Sequence, residues 1–350
     1  MMYENIEGKK ILLLMPNFFN YPKLLIEELE SRGATVIFVE NKLLPFDYDS
    51  PLCKFRFFRK VVFLLFSIKY NYLTAKTNFK EKYDFFLCIN GFLFDKRIIL
   101  KLKAANPNIK TLLYLWDSTN MFEWKNITQY FDKSFTFDPL DAEKLNISYL
   151  PNFYPKSIEK NNRKTSEDLF FVGTQHADRY EFLKKIIQIN RISTKSIKLY
   201  VKYKHSLHSK FIYYILKRSK GSFAQKYCLN YDLVERIIKD DFLIYESMSP
   251  EKISDLISLA KCVLDIQAPT QVGLPHQLII ALAMGKKIIT VNSWMVNYDF
   301  YNPNQILIID RDNPIISSNF LKREFEVEEV SASIKRSRID NWVDIIFEIK

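Results

Sequence analysis

Glycine is scarce in this sequence, with seven among 350 residues, about 2% against a usual share of roughly 7%. No G-x-G triplet occurs, so the dinucleotide-binding fingerprint is absent. No G-x-x-x-x-G-K-[ST] segment and no kinase-type glycine-rich loop occur either. We therefore expect any nucleotide to be bound without a glycine-built loop.

Cysteine is also sparse, and the sequence contains no C-x-x-C pair among Cys53, Cys88, Cys228 and Cys262. This scatter predicts small buried apolar side chains in a reducing compartment, with neither disulfides nor a zinc site. The histidines show no metal-ligand spacing. The D-x-D tripeptides at 47–49 and 310–312 are expected in turns, so we predict no metal and no other cofactor.

Long apolar runs are missing as well. No apolar run, 61–66 included, approaches the roughly 18 residues of a membrane-spanning helix. The first residues lack the plan of a signal peptide, since their apolar run has the length of a strand. We expect a cytoplasmic protein, and leave open contact with the cytoplasmic face of the inner membrane.

The net charge of +11 suits three polyanions, namely nucleic acid, anionic lipid or a phosphorylated substrate. The segment 54–70 has a basic start that leads into an apolar helical stretch, and in 198–220 basic residues are interleaved with aromatic ones. Each segment suits either a core helix with extended basic side chains or a helix lying on an anionic membrane. No motif typical of nucleic-acid binding accompanies the charge, so we expect no nucleic-acid partner.

Apolar runs of strand length alternate with segments of helical period, which is typical of parallel α/β sheets. We predict a first Rossmann-like domain over 1–152, a polar linker over 153–168, a second such domain over 169–330 and a helix over 331–350 that packs back on the first domain. Two doubly wound domains facing a central cleft describe the GT-B architecture. The predicted strands are 9–15, 35–40, 84–90, 111–116, 133–137, 147–150, 169–172, 196–202, 242–245, 262–266, 287–291 and 306–309.

Two segments of the second half place polar residues between a strand and a helix. In 265–292 a helix beginning near Pro275 offers backbone N–H groups to a phosphate, although the segment also reads as one more βαβ unit. In 169–180 the strand is expected to turn at Gly173, and Arg179 suits a diphosphate or pairs locally beside an Asp178 cap. The candidate donor-binding residues are Gly173, Thr174, His176, Arg179, Gln271, Gly273, His276 and Gln277.

Five motifs together resemble a family of bacterial glycosyltransferases that build lipopolysaccharide, lipooligosaccharide or capsule, loosely related to the CgeB-like group. They are LYLWDS at 113–118, DLFFVGTQHADRY at 168–180, QVGL at 271–274, KKIITVN at 286–292 and YDFYNPNQI at 298–306. The resemblance implies a GT-B fold, a nucleotide-sugar held by the second domain, an acceptor on the first, and no required metal.

Two departures from the family pattern bear on mechanism. Gln277 stands where the family has Arg, and Ile280 where it has Glu. The missing Glu weakens the case for a retaining reaction. It also removes the carboxylate that the resembled family uses to bind the donor's ribose, so His276 or Gln277 would have to bind the ribose instead. Lys286 is a further, weaker candidate to offset leaving-group charge, and we expect it to face solvent.

An inverting transfer needs a base for the acceptor hydroxyl, and Asp117 is the first candidate because it follows a strand of the acceptor-side domain. Its alternative role is to cap the following turn. The same cleft is predicted to include Asn17, Tyr21, Asn90 and Gly91. The leading hypothesis is a glycosyltransferase acting on a lipid-linked or oligosaccharide acceptor, with membrane contact through 54–70. The alternative is a non-catalytic sugar-nucleotide or glycan-binding partner of an assembly complex.

Overall fold

The computed structural model describes most of the chain. The described residues are 5–17, 20–41, 79–90, 96–119, 125–158, 165–175, 178–193, 197–201, 214, 217, 240–246, 248–267, 271–325 and 330–349. They form two parallel six-stranded sheets with helices packed on both faces of each. The predicted α/β class with two doubly wound domains is confirmed.

The first sheet has the order β2-β1-β3-β4-β5-β6. Its strands are β1 (Lys10–Met15), β2 (Thr35–Glu40), β3 (Phe85–Ile89), β4 (Lys110–Leu115), β5 (Lys133–Thr136) and β6 (Ser148–Tyr149), and the helices between them are α1 (Tyr21–Ser31), α2 (Lys96–Ala105), α3 (Lys125–Thr128) and α4 (Pro139–Leu145). Successive side chains of β1 enter two different cores. Leu13 packs with Leu25 of α1, and Leu12 packs with Ile99 of α2. Burial on both faces explains the unbroken apolar runs of these strands.

The second sheet has the order β12-β11-β10-β7-β8-β9. Its strands are β7 (Glu167–Thr174), β8 (Ile197–Tyr200), β9 (Leu243–Ile244), β10 (Ala260–Asp265), β11 (Lys287–Thr290) and β12 (Ile306–Ile308), and its helices are α5 (Arg179–Asn190), α6 (Pro250–Leu259), α7 (His276–Ala283) and α8 (Ser318–Lys322). Counted within this domain, the strand order is 3-2-1-4-5-6. Successive strands are added on one side of β7 and then, from β10 onwards, on its other side. Ligands of such sheets bind at this switch point, outside the carboxyl ends of the strands.

The chain ends on the first domain. Ile334 of α9 (Ala332–Lys335) lies in a core of the second domain, whereas α10 (Ile339–Phe347) buries Trp342 and Val343 against the first sheet. At the crossover the Tyr154 N–H donates to the Ser337 carbonyl at 2.8 Å, and the Ile339 N–H donates to the Tyr154 carbonyl at 2.9 Å. The two passages of the chain between the domains are therefore hydrogen-bonded to each other.

Each predicted strand is confirmed, and one helix prediction needs correction. The single helix expected over 331–349 is broken at 336–338, where the chain crosses between domains. The segment 229–239, whose apolar spacing predicts a helix, and the basic segment 54–70 lie outside the described residues. Among the helices that the structure describes, none has the length and apolar character needed to cross a bilayer.

Candidate active site

The carboxyl ends of the two sheets meet where loops of one domain contact loops of the other. Trp116 directly follows β4, and its ring centroid lies 6.0 Å from that of His276 at the start of α7. Tyr21, at the start of α1, lies closer, with its ring centroid 4.1 Å from that of His276. Residues predicted from separate segments for acceptor and donor sides are therefore in contact across one cleft.

Asp117 lies on the first domain's side of this cleft. The Asn90 amide, just after β3, donates to the Asp117 carboxyl at 2.6 Å. Burial raises the pKa of Asp117 to about 6, and the Asn90 hydrogen bond opposes that rise. Asn90 is itself fixed, because its backbone has a φ of 53° and its N–H donates to the Tyr114 carbonyl at 2.8 Å. The pair joins the ends of two neighbouring strands and holds a carboxyl group whose basicity is above normal.

The remaining acceptor-side candidates are less uniform. Asn17 is exposed just after β1, in keeping with a cleft position. Tyr21 is packed between rings of both domains, and burial raises the pKa of its hydroxyl. Gly91 lies outside the described residues, as does the donor-side candidate His176.

His276 sits among the aromatic rings of Tyr21, Trp116 and Phe153. Burial lowers its pKa to about 3, so the imidazole is uncharged at neutral pH. Its Nε2 atom is buried and has no hydrogen-bond partner among the described residues. A group with so low a pKa is a weak base, which leaves Asp117 as the better candidate for proton removal.

The loop before α7 is used mainly to join the domains. The Val272 and Gly273 N–H groups donate to Asp138, which follows β5, at 3.4 and 3.2 Å. The Leu274 carbonyl accepts from Asn152 at 3.0 Å. A Cβ at position 273 would lie 2.6 Å from the Phe137 ring, so only glycine allows this approach.

These contacts change what the loop offers a ligand. The Gln271 amide donates to the Gly273 carbonyl at 3.3 Å, and the two N–H groups after it are taken by Asp138. A phosphate at this place would thus depend on the first turn of α7, where His276 and Gln277 stand. Donor binding by Gln271, Gly273, His276 and Gln277 stays a prediction.

Arg179 joins the two strands that flank the switch point. Its guanidinium donates to the carbonyl of Thr174, the last residue of β7, at 2.6 Å and, through two nitrogens, to the Ile266 carbonyl after β10. Burial lowers the pKa of Arg179 to about 10. The expected turn at Gly173 is wrong, because β7 continues through Thr174. A Cβ at 173 would lie 2.8 Å from the Phe171 ring and 3.1 Å from the Arg179 guanidinium.

A buried carboxyl lies behind Arg179. Asp265, the last residue of β10, is 3% exposed and accepts a hydrogen bond from the Thr290 hydroxyl at 2.9 Å. Burial raises the pKa of Asp265 to about 6, whereas Thr290, Arg179 and the nearby Gln267 amide oppose the rise. The switch point therefore carries a polar cluster beneath its surface.

Arg311, which sequence reasoning missed, is the second guanidinium at this crevice. It follows β12, donates to the Gln267 carbonyl at 3.0 Å and forms two hydrogen bonds with Asp178. Asp178 makes no side-chain cap for α5. Arg311 lies a few residues after an apolar strand, as Arg179 does, and this position is the sequence pattern that indicates its place at the crevice. The Asp310 carboxyl accepts from the Asp312 and Asn313 N–H groups in a turn.

Lys286 is not at the cleft, and its expected solvent exposure is wrong. The residue is 5% exposed, and its ammonium donates to the Ser258 carbonyl at 2.6 Å. It precedes β11, so it lies at the amino edge of the sheet, opposite the candidate site. Among the described residues, no group of three or more His, Cys, Asp and Glu side chains is placed to hold a metal ion.

Comparisons with known proteins give overall likeness only. No family model and no curated protein sequence matches this chain. Solved structures that align with most of it include the lipopolysaccharide outer core galactosyltransferase WaaB in apo form, at 13% identity and a TM-score of 0.48 over 97% of this chain and 99% of that one. UDP-GlcNAc 2-epimerase from Methanocaldococcus jannaschii aligns at 12% identity and a TM-score of 0.45, over 97% and 99% of the two chains. Acinetobacter baumannii MurG aligns at 9% identity and a TM-score of 0.41, over 97% of this chain and 100% of that one. Likeness at this level identifies no reaction, donor or acceptor for this chain.

Proposed function

We propose that the protein is a glycosyltransferase that moves a sugar from a nucleotide-sugar to a lipid-linked or oligosaccharide acceptor of a bacterial surface glycan. The observation that carries the proposal is the half-buried Asp117 carboxyl, with its pKa of about 6 and its hydrogen bond from Asn90, at the cleft where the two sheets meet. Across this cleft lies a switch point with two guanidinium groups, Arg179 and Arg311.

The proposed reaction is an inverting displacement. The acceptor hydroxyl gives its proton to Asp117, its oxygen bonds to the anomeric carbon, and the bond from that carbon to the phosphate oxygen breaks. The nucleoside diphosphate leaves with the electron pair of that bond. A carboxylate with a raised pKa is a stronger base than an ordinary Asp and is still ionised at pH 7. Positive charge at the switch point would offset the charge of the leaving group without a metal.

The acceptor class rests on charge and on the sequence resemblance. A net charge of +11 suits a phosphorylated lipid carrier at the cytoplasmic face of the inner membrane, with 54–70 as the contact. Sedimentation with vesicles containing anionic lipid tests this part. Retention of the protein by such vesicles at moderate salt supports the contact, and failure to retain it at moderate salt contradicts it.

The central experiment combines a donor screen with two matched variants. UDP-, GDP-, dTDP-, ADP- and CMP-sugars are tested for stabilisation of the fold and for slow hydrolysis. Asp117→Asn is expected to lower transfer by about 10²- to 10⁴-fold while donor binding persists. Asp84→Asn is the control, since Asp84 contacts Lys9 and Lys10 at the amino edge of the same sheet. Full transfer by Asp117→Asn rules out Asp117 as the base.

One observation favours the alternative of a non-catalytic binding partner. Helix α7 contains no carboxylate, and Ile280 is 2% exposed in an apolar core where the resembled family has Glu. A wild-type protein that is stabilised by a nucleotide-sugar but neither transfers nor hydrolyses it would support this second function.

A further inference from the structure

Arg311 and Asp178 form an ion pair at the surface of the switch point. The Arg311 guanidinium donates from Nε at 3.0 Å and from Nη2 at 2.5 Å to the two carboxylate oxygens of Asp178. The side chains are 24% and 52% exposed. The carboxylate therefore occupies one edge of the guanidinium, whose remaining nitrogen donates to the Gln267 carbonyl.

Two arginines and two carboxylates meet at this place, with Asp265 behind Arg179 and Asp178 beside Arg311. The Arg179 and Arg311 guanidinium groups donate to the carbonyls of two consecutive residues, Ile266 and Gln267. Peptide carbonyls orient a guanidinium but do not cancel its charge. Among the described residues, Asp178 is the one carboxylate that hydrogen-bonds to either arginine.

A guanidinium fork fits a phosphate in the same two-point way as it fits a carboxylate. We propose that Asp178 is an internal counter-ion that a phosphate group of the donor displaces from Arg311. Arg311 is then a donor-binding residue, and Asp178 competes with the donor for it. The inference rests on the proposed function, because that function supplies the diphosphate.

A purely structural role for the pair makes a different prediction. The segment after β12 is also held to α5 by Asn190, whose side chain donates to the Pro314 carbonyl at 2.8 Å and accepts from the Ile316 N–H at 2.7 Å. If the ion pair were only another such tie, breaking it would loosen the segment and would not strengthen phosphate binding.

Asp178→Asn separates the two roles because they predict opposite signs. Calorimetric titration with inorganic pyrophosphate, UDP, GDP, dTDP and ADP gives the Kd of the full-length protein. Displacement predicts that Asp178→Asn tightens binding by about two- to fivefold, the range expected for an exposed ion pair. Arg311→Gln should weaken it about tenfold or more, and the gain from Asp178→Asn should vanish in the double variant.

Two controls match the variant in charge and in position. Asp312→Asn removes one negative charge from the same exposed turn, and its backbone N–H bond to Asp310 does not involve the side chain. Asn190→Ala removes the uncharged tie. Neither should tighten binding. Equal tightening by Asp312→Asn would show a general charge effect and overturn the proposal, as would unchanged or weaker binding in Asp178→Asn.

The outcomes also separate this inference from the proposed function. Sugar transfer by the wild type together with no tightening in Asp178→Asn overturns only the displacement of Asp178. Absence of both transfer and nucleotide binding in the wild type overturns the proposed function, and the inference with it.

Discussion

Burial shifts the pKa of three titratable groups near the cleft. Asp117, which is half-buried, and the buried Asp265 both have a pKa raised to about 6. An amide opposes the rise at Asp117, and a hydroxyl, a cation and an amide oppose it at Asp265. His276, enclosed by rings, is uncharged because its pKa is lowered to about 3. Among these three groups, Asp117 is the better candidate for a general base, because Asp265 has a similar pKa but is 3% exposed and His276 is a weak base.

The first prediction concerns the pH dependence of transfer. Because the pKa of Asp117 is about 6, kcat/KM should fall by about tenfold per pH unit below that value as the carboxylate is protonated. Asn90→Ala removes a hydrogen bond that favours the charged form, so the acid limb should move to higher pH. His276→Asn should leave the limb in place. An acid limb near the ordinary Asp value, or one unmoved in Asn90→Ala, contradicts the assignment.

The second prediction concerns Gly273. Gly273→Ala places a methyl group 2.6 Å from the Phe137 ring and 2.9 Å from its carbonyl oxygen, so it should destabilise the protein by about 1–3 kcal/mol. Urea denaturation measures the loss. In a Phe137→Leu background the ring contact is gone and only the carbonyl contact remains, so the loss should be smaller. The same loss in both backgrounds would refute the clash.

At the scale of elements, the sequence motifs at 286–292 and 298–306 support the join between the domains. The segment 298–306 supports the loop before α7, since the Tyr298 hydroxyl donates to the Val272 carbonyl at 3.0 Å. The same carbonyl accepts from Asn292 at 3.0 Å. With Asp138 bound on the other side, the loop is held by both domains. Its rigidity fixes the start of α7 at the cleft.

The third prediction tests this join at Asp138, whose other oxygen caps α4 through the Leu140 N–H. Asn caps a helix as well as Asp does, so Asp138→Asn should keep the cap. The hydrogen bonds from the Val272 and Gly273 N–H groups should weaken, which should lower the free energy of unfolding by about 1–3 kcal/mol. Hydrogen exchange over 271–275 should become faster. Ser249→Ala, which removes only the cap of α6 at Lys252, is the control and should leave that exchange unchanged.

The elements could be predicted from the sequence because their causes are local. Strands buried on both faces give short apolar runs. Gly33, with a φ of 82°, lies just after the end of α1, where glycine is common because it adopts a positive φ without strain. Contacts between distant residues could not be predicted this way. Asp178 and Arg311 are 133 positions apart, and Gly273 contacts Asp138 across 135. Lys286 looked exposed because nothing in its own segment indicates that the Ser258 carbonyl would accept its ammonium hydrogen.

At the scale of the whole molecule, the first domain is completed by the far end of the chain. Helix α10 presents Ile339, Trp342, Val343, Ile346 and Phe347 at the spacing of one helical face, and all are buried. The Trp342 ring lies 4.9 Å from Tyr114 and 5.1 Å from Phe153, measured between centroids. Arg32, just after α1, donates hydrogen bonds to the Asp344 carboxylate and to the Asp340 carbonyl. The second domain is therefore inserted, in sequence, between two parts of the first.

This arrangement gives the fourth prediction. Trp342→Ala should destabilise by about 3–5 kcal/mol, a large part of the roughly 5–15 kcal/mol that holds a domain folded. The change should raise hydrogen exchange in β1, β3 and β4, although position 342 lies beyond the second domain in the sequence. Leu278→Ala in α7, a residue of equal burial in the other domain, is the matched control and should raise exchange in β10 and β11 instead. If Trp342→Ala loosened the second sheet while leaving the first protected, the placement of α10 would be wrong.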